Sequence, residues 1–574
     1  MTHRSLLSNA AVIGSAIVIL LAARWIWVAG LGDYGWDYEV ASRILHGEVF
    51  FRDFLLLRPP LSYYTMAELI RLLGHHLFAY HIHLWFSYVL CLIAGLLLAR
   101  ELGAPPSALI TGVSLTAVMT CPVFSWGHSL DYQSVFLAGI GILCTLYSQR
   151  RKPWWAAAAG SAAALCIFHK QNVGLAVAIC IPLFLPRKAL AVYLAGFASV
   201  FFLIFSYFSR QAGAEEVWRQ LFTDAASSKG GWFRTAARAV PRLIFHPDLP
   251  RRRWWELAAT GTVYAAMLPI VIHILRRRSN ADEKDAFSSA TGIACLAGAG
   301  LGIALSLIQL EIHVPQKLLI HPWGLLLQLT YIFFFLLVAA HFRNEREIGW
   351  RTALFLVLAI TAAQEASNPN FIYSATLVIP LLIALLARSR LLLHSETAGI
   401  TVAAVYLLGT TVLGPISFYG LCAYQPTYPL PADSPFRGLR APEPYARRVG
   451  EMWREVRPIA KNRRTLWLIG GGPFLAYGGL PVFNAAYSWY DSFPARLDRH
   501  LIQTWQSDPP EVVLLRDDFW ASPKSELLTA GYIKKHVLSQ HVEVWRSRID
   551  PQISMWMSRS VVNASRLNLE VIGH

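Results

Sequence analysis

Acids, bases and aromatics crowd one short stretch near the start of the chain, GDYGWDYEVASRILHGEVFFRDFLLLRPPLSYY. It carries Asp33, Asp37, Glu39, Arg43, Arg52, Asp53 and Arg58. A positioned carboxylate accepts a proton, and guanidinium groups hold anions. Asp33 directly follows the apolar WIWVAGLG. One carboxylate there reads as a solvated helix end; the whole stretch reads as more than that. YEVASRILHG has helical spacing and Gly47 reads as its stop. RPPLSYY opens a second helix with Pro near its first turn. The pattern predicts a helix lying along a membrane surface, bringing Asp33, Arg52 and Arg58 to one lipid-level site.

Further along, HSLDYQSVFLAGIGIL places Asp131 at the outer start of an apolar run. A carboxylate there equally serves as an N-terminal partner of the helix dipole. FHKQNVGL puts His169 and Lys170 at the outer end of another run, where a Lys equally snorkels to the headgroups. Glu311, His313, Lys317, Glu365 and Asn368 are further outer candidates. No CxxC or Cys/His spacing points to zinc. Of Cys91, Cys121, Cys144, Cys166, Cys180, Cys295 and Cys422, most lie in apolar runs as small hydrophobes. Cys121 and Cys422 fall near the outer face, where a disulfide is open to them. GGGPFLAYGG lacks GxGxxG spacing and reads as a turn.

The elements that must position these residues are membrane helices. Of 574 residues, 55% are hydrophobic and only 15% charged, and mean hydropathy is +0.42. Soluble domains run nearer about 25% charged. Apolar runs fall at 10–31, 80–98, 106–124, 132–148, 154–168, 172–186, 189–208, 256–275, 287–309, 323–340, 351–364, 371–387 and 397–416. That predicts an all-α polytopic membrane bundle of about thirteen spans, the first an uncleaved helix rather than a signal peptide. Lys and Arg collect in alternate joints: Arg100, Arg150-Arg151-Lys152, Arg187-Lys188, Arg276-Arg277-Arg278, Arg343 with Arg346 and Arg351, and Arg388 with Arg390. This bias puts the N-terminus in the cytoplasm. It also accounts for the net charge of +16 without a nucleic-acid partner. Arg251-Arg252-Arg253 falls outside, in a long loop where the rule is weak. The expected domains are a membrane domain over 1–416, a linker over 417–461 and a small extracytoplasmic α/β domain over 462–574. In the last, RTLWLIGG and PEVVLLRDD read as buried strands, and GYIKKHVLSQHVEVWRS as a helix end followed by strands.

The first outer loop resembles that of polyprenyl-phosphate-sugar-dependent glycosyltransferases of the GT-C superfamily. Bacterial members resembling protein O-mannosyltransferases and the lipid A aminoarabinose transferase carry a similar pattern. Their pattern is Asp after the first span, an A-R-x-L-x-x-G helix, Y-R-D, then a basic residue before Pro-Pro. Here these are Asp33, ASRILHG, FRDF and RPPLSYY. Phe51 replaces the Tyr, and Leu57 stands where an acid often precedes the basic residue. Family members also keep an acid at the position of Asp131.

The resemblance implies a GT-C-like fold in the cell (inner) membrane. It implies sugar transfer from a polyprenyl-phosphate donor to an acceptor hydroxyl on the extracytoplasmic face, with inversion. The donor lipid is undecaprenyl phosphate if the source is bacterial; the acceptor is a glycan, lipid or protein. Asp33 would be the base and Asp131 would orient the acceptor. Arg58, Lys170 and Arg52 would hold the phosphate, with Asp37 and Asp53 in the same substrate-binding group. The need for a divalent metal stays open, since branches of the superfamily differ. The rival readings are a polytopic transporter, a lipid-linked-sugar flippase, or a scaffold that binds through its outer domain.

Overall fold

The computed structural model describes residues 34–53, 56–106, 108–110, 112–113, 116, 128–150, 152–228, 347–367, 372–388, 427–468, 496–519 and 525–564. Asp33, Glu311, His313, Lys317, Asn368, Cys121, Cys295, Cys422 and the glycine-rich turn lie outside them. So do the runs expected at 10–31, 256–275, 287–309, 323–340 and 397–416, and most of 106–124.

The described residues are mostly helical. In chain order they form α1 (Tyr34–Leu45), α2 (Leu61–Leu73), α3 (Leu77–Glu101), α4 (Ser129–Arg150), α5 (Trp155–Ile167), α6 (Gln171–Cys180) and α7 (Arg187–Ala212). Next comes α8, made of Ala214–Trp218, a π-helical stretch Arg219–Asp224, and Ala225–Ser228. Then follow α9 (Ile348–Ser367) and α10 (Ile372–Arg388). The chain divides into two compact units.

The first unit comprises Met1–Trp25, Leu84–Phe202 and Phe233–Gln425. The runs expected at 80–98, 132–148, 154–168, 172–186, 189–208, 351–364 and 371–387 fall on α3, α4, α5, α6, α7, α9 and α10. Of these, α3, α4 and α7 are long and apolar enough to cross a membrane. Only 11% of the apolar stretch of α7 is buried within the protein, so its apolar side chains face outward. That is stable where the solvent is lipid. Helices in lipid approach closely through small residues. On α5 and α7, a Cβ at Gly160 would overlap the Tyr193 carbonyl, and one at Gly196 the Ala157 carbonyl.

The second unit comprises Ile26–His83, Leu203–Trp232 and Pro426–His574. It holds α1, α2 and α8 together with an α/β fold. A hairpin pairs β1 (Thr427–Pro429) with β2 (Arg440–Pro442). Helix α11 follows (Glu443–Glu451, continued by Met452–Val456 and Arg457–Ala460). The main sheet contains β3 (Thr465–Leu468), β4 (Val512–Arg516), β5 (His541–Arg546) and β6 (Ile553–Ser558), in the order β3-β4-β6-β5. β3 and β4 are parallel, joined across α12 (Arg496–Ser507), as parallel strands require. The other pairs are antiparallel. α13 (Ala530–His536) precedes β5 and is capped by the Thr529 side chain. Leu466, Leu468, Leu501, Trp505, Val513, Leu515 and Ile533 form the core.

Residues 427–460, expected within a linker, form the hairpin and α11 instead. Buried Leu430, Phe436, Leu439, Met452 and Val456 supply the apolar contacts that hold them.

Candidate functional site

In the second unit, the first outer loop folds as its turn residues dictate. α1 ends at Leu45, and Gly47 takes φ +87°, which glycine adopts at little cost. Pro60 precedes α2. Asp37 on α1 is buried, 1% exposed. A buried carboxylate must be paired. Its Oδ1 accepts hydrogen bonds from Arg58 Nη1 at 3.2 Å and from the Tyr63 hydroxyl at 3.2 Å. Burial first, and next the Asp37 charge, raise the Tyr63 hydroxyl well above its ordinary pKa, so it stays a donor. Tyr63 stacks on Phe50 at 5.8 Å. The Arg58 side chain remains 25% exposed.

Arg52 and Asp53 make a separate pair. Arg52 Nε and Nη2 donate to the two Asp53 oxygens, both at 2.8 Å. Val49 N also donates to Asp53 at 2.6 Å. These bonds, that from Arg52 first, hold the Asp53 carboxyl below its ordinary pKa. The Arg52 side chain is half exposed.

The first unit holds two more of the expected site residues, Asp131 and Lys170, and joins them to each other. Asp131 sits in the first turn of α4, and Lys170 is the residue that starts α6. Lys170 Nζ donates to Asp131 Oδ1. Gln364 Nε2, from α9, donates to the same oxygen at 3.1 Å. Both partners of the ion pair are nearly closed off, at 9% and 3% side-chain exposure. Lys170 also lies 5.9 Å from the centre of the Tyr373 ring, a cation–π distance. The Tyr373 hydroxyl accepts from His128 N at 3.1 Å, and its ring meets Tyr132 edge-on at 4.9 Å. His169 is turned to local work: its Nδ1 meets the Leu165 carbonyl at 2.9 Å.

The structure therefore joins Asp37 to Arg58, Arg52 to Asp53, and Asp131 to Lys170. Asp131 is the first-turn carboxylate that one reading of the sequence describes, and it also belongs to a polar cluster with Lys170 and Gln364.

Tyr63, Gln364 and Tyr373 were not singled out, and Glu39 was named in the loop without a role. Glu39 is 3% exposed and its Oε2 has no hydrogen-bond partner. Arg43, one helical turn on, is taken up by Glu48 at 2.6 Å. Burial raises the Glu39 pKa to about 7; Arg43 opposes the shift and Glu48 adds to it. Its signal in sequence was an acid on the apolar side of α1. Gln364 had a signal too, as a lone amide in the apolar run before Glu365. Among the described residues no group of three or more His, Cys, Asp and Glu is arranged to hold a metal ion.

No family model matches this chain, and no curated protein matches it. Solved structures do. ArnT from Cupriavidus metallidurans bound to undecaprenyl phosphate is 11% identical, over 97% of this chain and 98% of that one, with a TM-score of 0.40. The same protein in the apo state is 12% identical, over 95% and 98%, with a TM-score of 0.38. The arabinofuranosyltransferase AftD from Mycobacteria is 13% identical, over 96% of this chain and 41% of that one, with a TM-score of 0.37. Likenesses this loose assign neither a residue nor a substrate.

Proposed function

We propose that this chain is a membrane glycosyltransferase that moves a sugar from a polyprenyl-phosphate donor to an acceptor hydroxyl on the extracytoplasmic face, with inversion. The observation that carries this reading is the Asp37–Arg58–Tyr63 cluster. A buried carboxylate and a buried phenol fix one side of a guanidinium that stays a quarter exposed. An arginine so held is fixed in direction, and its planar fork matches a phosphate. Its place between a surface helix and a Pro-started helix suits a phosphate whose tail remains in lipid.

The reaction is a single displacement. The acceptor oxygen attacks C1 of the sugar and gives its proton to the Asp33 carboxylate. The bond from C1 to the phosphate oxygen breaks, and its electron pair leaves with the phosphate. Arg58 stabilises that charge in a water-poor site, with Arg52 as a further cation; Asp37 and Asp53 are the partners of these two. Asp131 and Lys170, to which the resemblance gives orienting and phosphate-holding roles, are engaged with each other, and Asp131 also with Gln364.

The buried Asp131–Lys170 pair favours one other reading. Ionisable residues within the bilayer mark transport pathways. These two stand at helix ends, α4 and α6, and not at mid-span. One assay separates the readings: radiolabelled polyprenyl-phosphate sugars offered to membranes with and without this chain. Transfer to an acceptor is expected, and Asp33→Asn is expected to lower it by about 10²–10⁴. Label that crosses the membrane with its phosphate linkage intact would establish the flippase instead. An Asp33→Asn protein with near-native turnover would remove Asp33 from the mechanism.

A further inference from the structure

We infer that Gln220 is a positioning residue for the first outer loop, clamping the strained turn at Phe51 and thereby setting where Arg52 and Arg58 stand. Phe51 takes φ +70°, the left-handed region that a side chain with a Cβ avoids. Such strain persists only where neighbours over-determine it. Here they do. The Phe51 ring is buried, edge-on to Phe50 at 4.7 Å and to Phe208 at 5.5 Å. Gln220 is 1% exposed. Its Nε2 donates to the Phe51 carbonyl at 2.9 Å and to Glu216 Oε1 at 2.6 Å. Its Oε1 accepts from Leu56 N at 3.4 Å. One amide thus grips the chain on both sides of the segment that carries Arg52 and Asp53, and ends two residues before Arg58.

The element beneath is itself unusual. Gln220 lies in the π-helical stretch Arg219–Asp224 of α8. π-turns re-aim a side chain within a helix and recur at functional sites. On the other side of the grip, Leu57 packs against the core of the α/β fold. The loop is therefore fixed by residues far from it in sequence, as a phosphate-holding arginine requires.

The inference rests on the phosphate role proposed for this loop, so its test reads the loop and the ligand separately. The full chain in detergent is compared with Gln220→Ala and Gln220→Glu at pH 8 and pH 5. Two quantities are measured: undecaprenyl phosphate binding, and the rate of tryptic cleavage after Arg52. Gln220→Ala is expected to weaken binding about ten-fold and to speed cleavage at both pH values. Gln220→Glu at pH 8 sets a carboxylate against the Phe51 carbonyl and Glu216, and should behave like Ala. At pH 5 its carboxyl, made hard to ionise by burial and Glu216, regains a donor and should recover most of the wild-type behaviour. A residue that merely supports folding would show no such recovery. Wild-type cleavage rates in both variants, or Gln220→Glu unchanged between the two pH values, would overturn the clamp. If Gln220→Ala does not fold, the pH comparison on Gln220→Glu still decides. If the wild-type chain binds no undecaprenyl phosphate, the proposed function falls, and the cleavage rates alone judge the clamp.

Discussion

Asp37 and Asp131 are both buried carboxylates that hold a cation at the start of a helix, and the two cations differ in what they leave to solvent. Lys170 is 9% exposed and shares its acceptor oxygen with Gln364. Arg58 is 25% exposed, and its carboxylate partner also takes the Tyr63 hydroxyl. The first pair is closed: charge and countercharge are buried together. The second is open on one side. A closed pair holds helices α4, α6 and α9 in register and tolerates no missing member. An open pair leaves part of its cation within reach of solvent. One architecture, a carboxylate behind a cation, thus occurs once closed and once open, and the open form suits the proposed phosphate role.

The largest expected effect breaks the closed pair. Lys170→Ala leaves the Asp131 charge buried without its cation, and such a loss costs about 3–5 kcal/mol. The double variant Asp131→Leu with Lys170→Met removes both charges and should recover most of that stability, because well-packed apolar pairs often replace buried ion pairs at little cost. Thermal unfolding in detergent measures both. A single variant as stable as wild type would show that the pair is not closed.

The next effect tests the open pair. Arg58→Ala should raise the donor concentration needed for half-maximal rate by about 10–100-fold, the loss of a charge-assisted hydrogen bond to phosphate. Arg58→Lys should fall between, keeping the charge and losing the planar fork. Arg58→Ala also strips the buried Asp37 of its cation and should lower the unfolding temperature, whereas Arg58→Lys keeps the charge and should hold it, so the Lys variant separates donor binding from stability. Equal rate curves for the three proteins would leave Arg58 as a snorkelling headgroup contact, and the contrast with Lys170 would be lost.

How much of this was legible in sequence follows from distance along the chain. Gly47 and Pro60 mark the end of α1 and the start of α2 because glycine and proline act locally on the backbone. TLWL and VVLLR read as buried strands because a strand covered on both faces is apolar throughout. The spans read from length. What did not read were contacts between distant residues. Gln220 reaches Phe51 across 169 positions, and nothing near either residue announces it. Gln364 meets Asp131 across 233 positions. Leu57 looked like the loss of a family acid, whereas it packs against a core built from residues beyond 465. Residues 427–460 read as a linker because their apolar residues are sparse, yet enough are buried to fold them. The site residues proposed from the family pattern fall into pairs, but no residue type announces which pair is closed and which is open.

Glu39 supplies the third and smallest test, a buried carboxyl on α1 whose nearest cation is taken by Glu48. Asp37, two residues earlier, keeps its cation; Glu39 does not, and burial raises its pKa from 4.5 to about 7. Between these two values the folded chain keeps a proton that the unfolded chain has released. Unfolding free energy therefore falls as pH rises from about 4.5 to about 7, and levels off above. The penalty at pH 8 should be about 1–3 kcal/mol, on the order of that net shift, in which the opposing pull of Arg43 is already counted. Glu39→Gln carries no such charge. Its stability relative to wild type should be near zero at pH 4.5 and should grow to that amount by pH 8. Taking the difference between the two proteins at each pH removes the contribution of every other titrating group. A difference that does not change with pH would mean that Glu39 is ionised in the fold, with Arg43 serving both acids. Arg43 would then hold Glu39 and Glu48 at once, and the rule that a buried acid of this loop needs a cation of its own would fail at its nearest case.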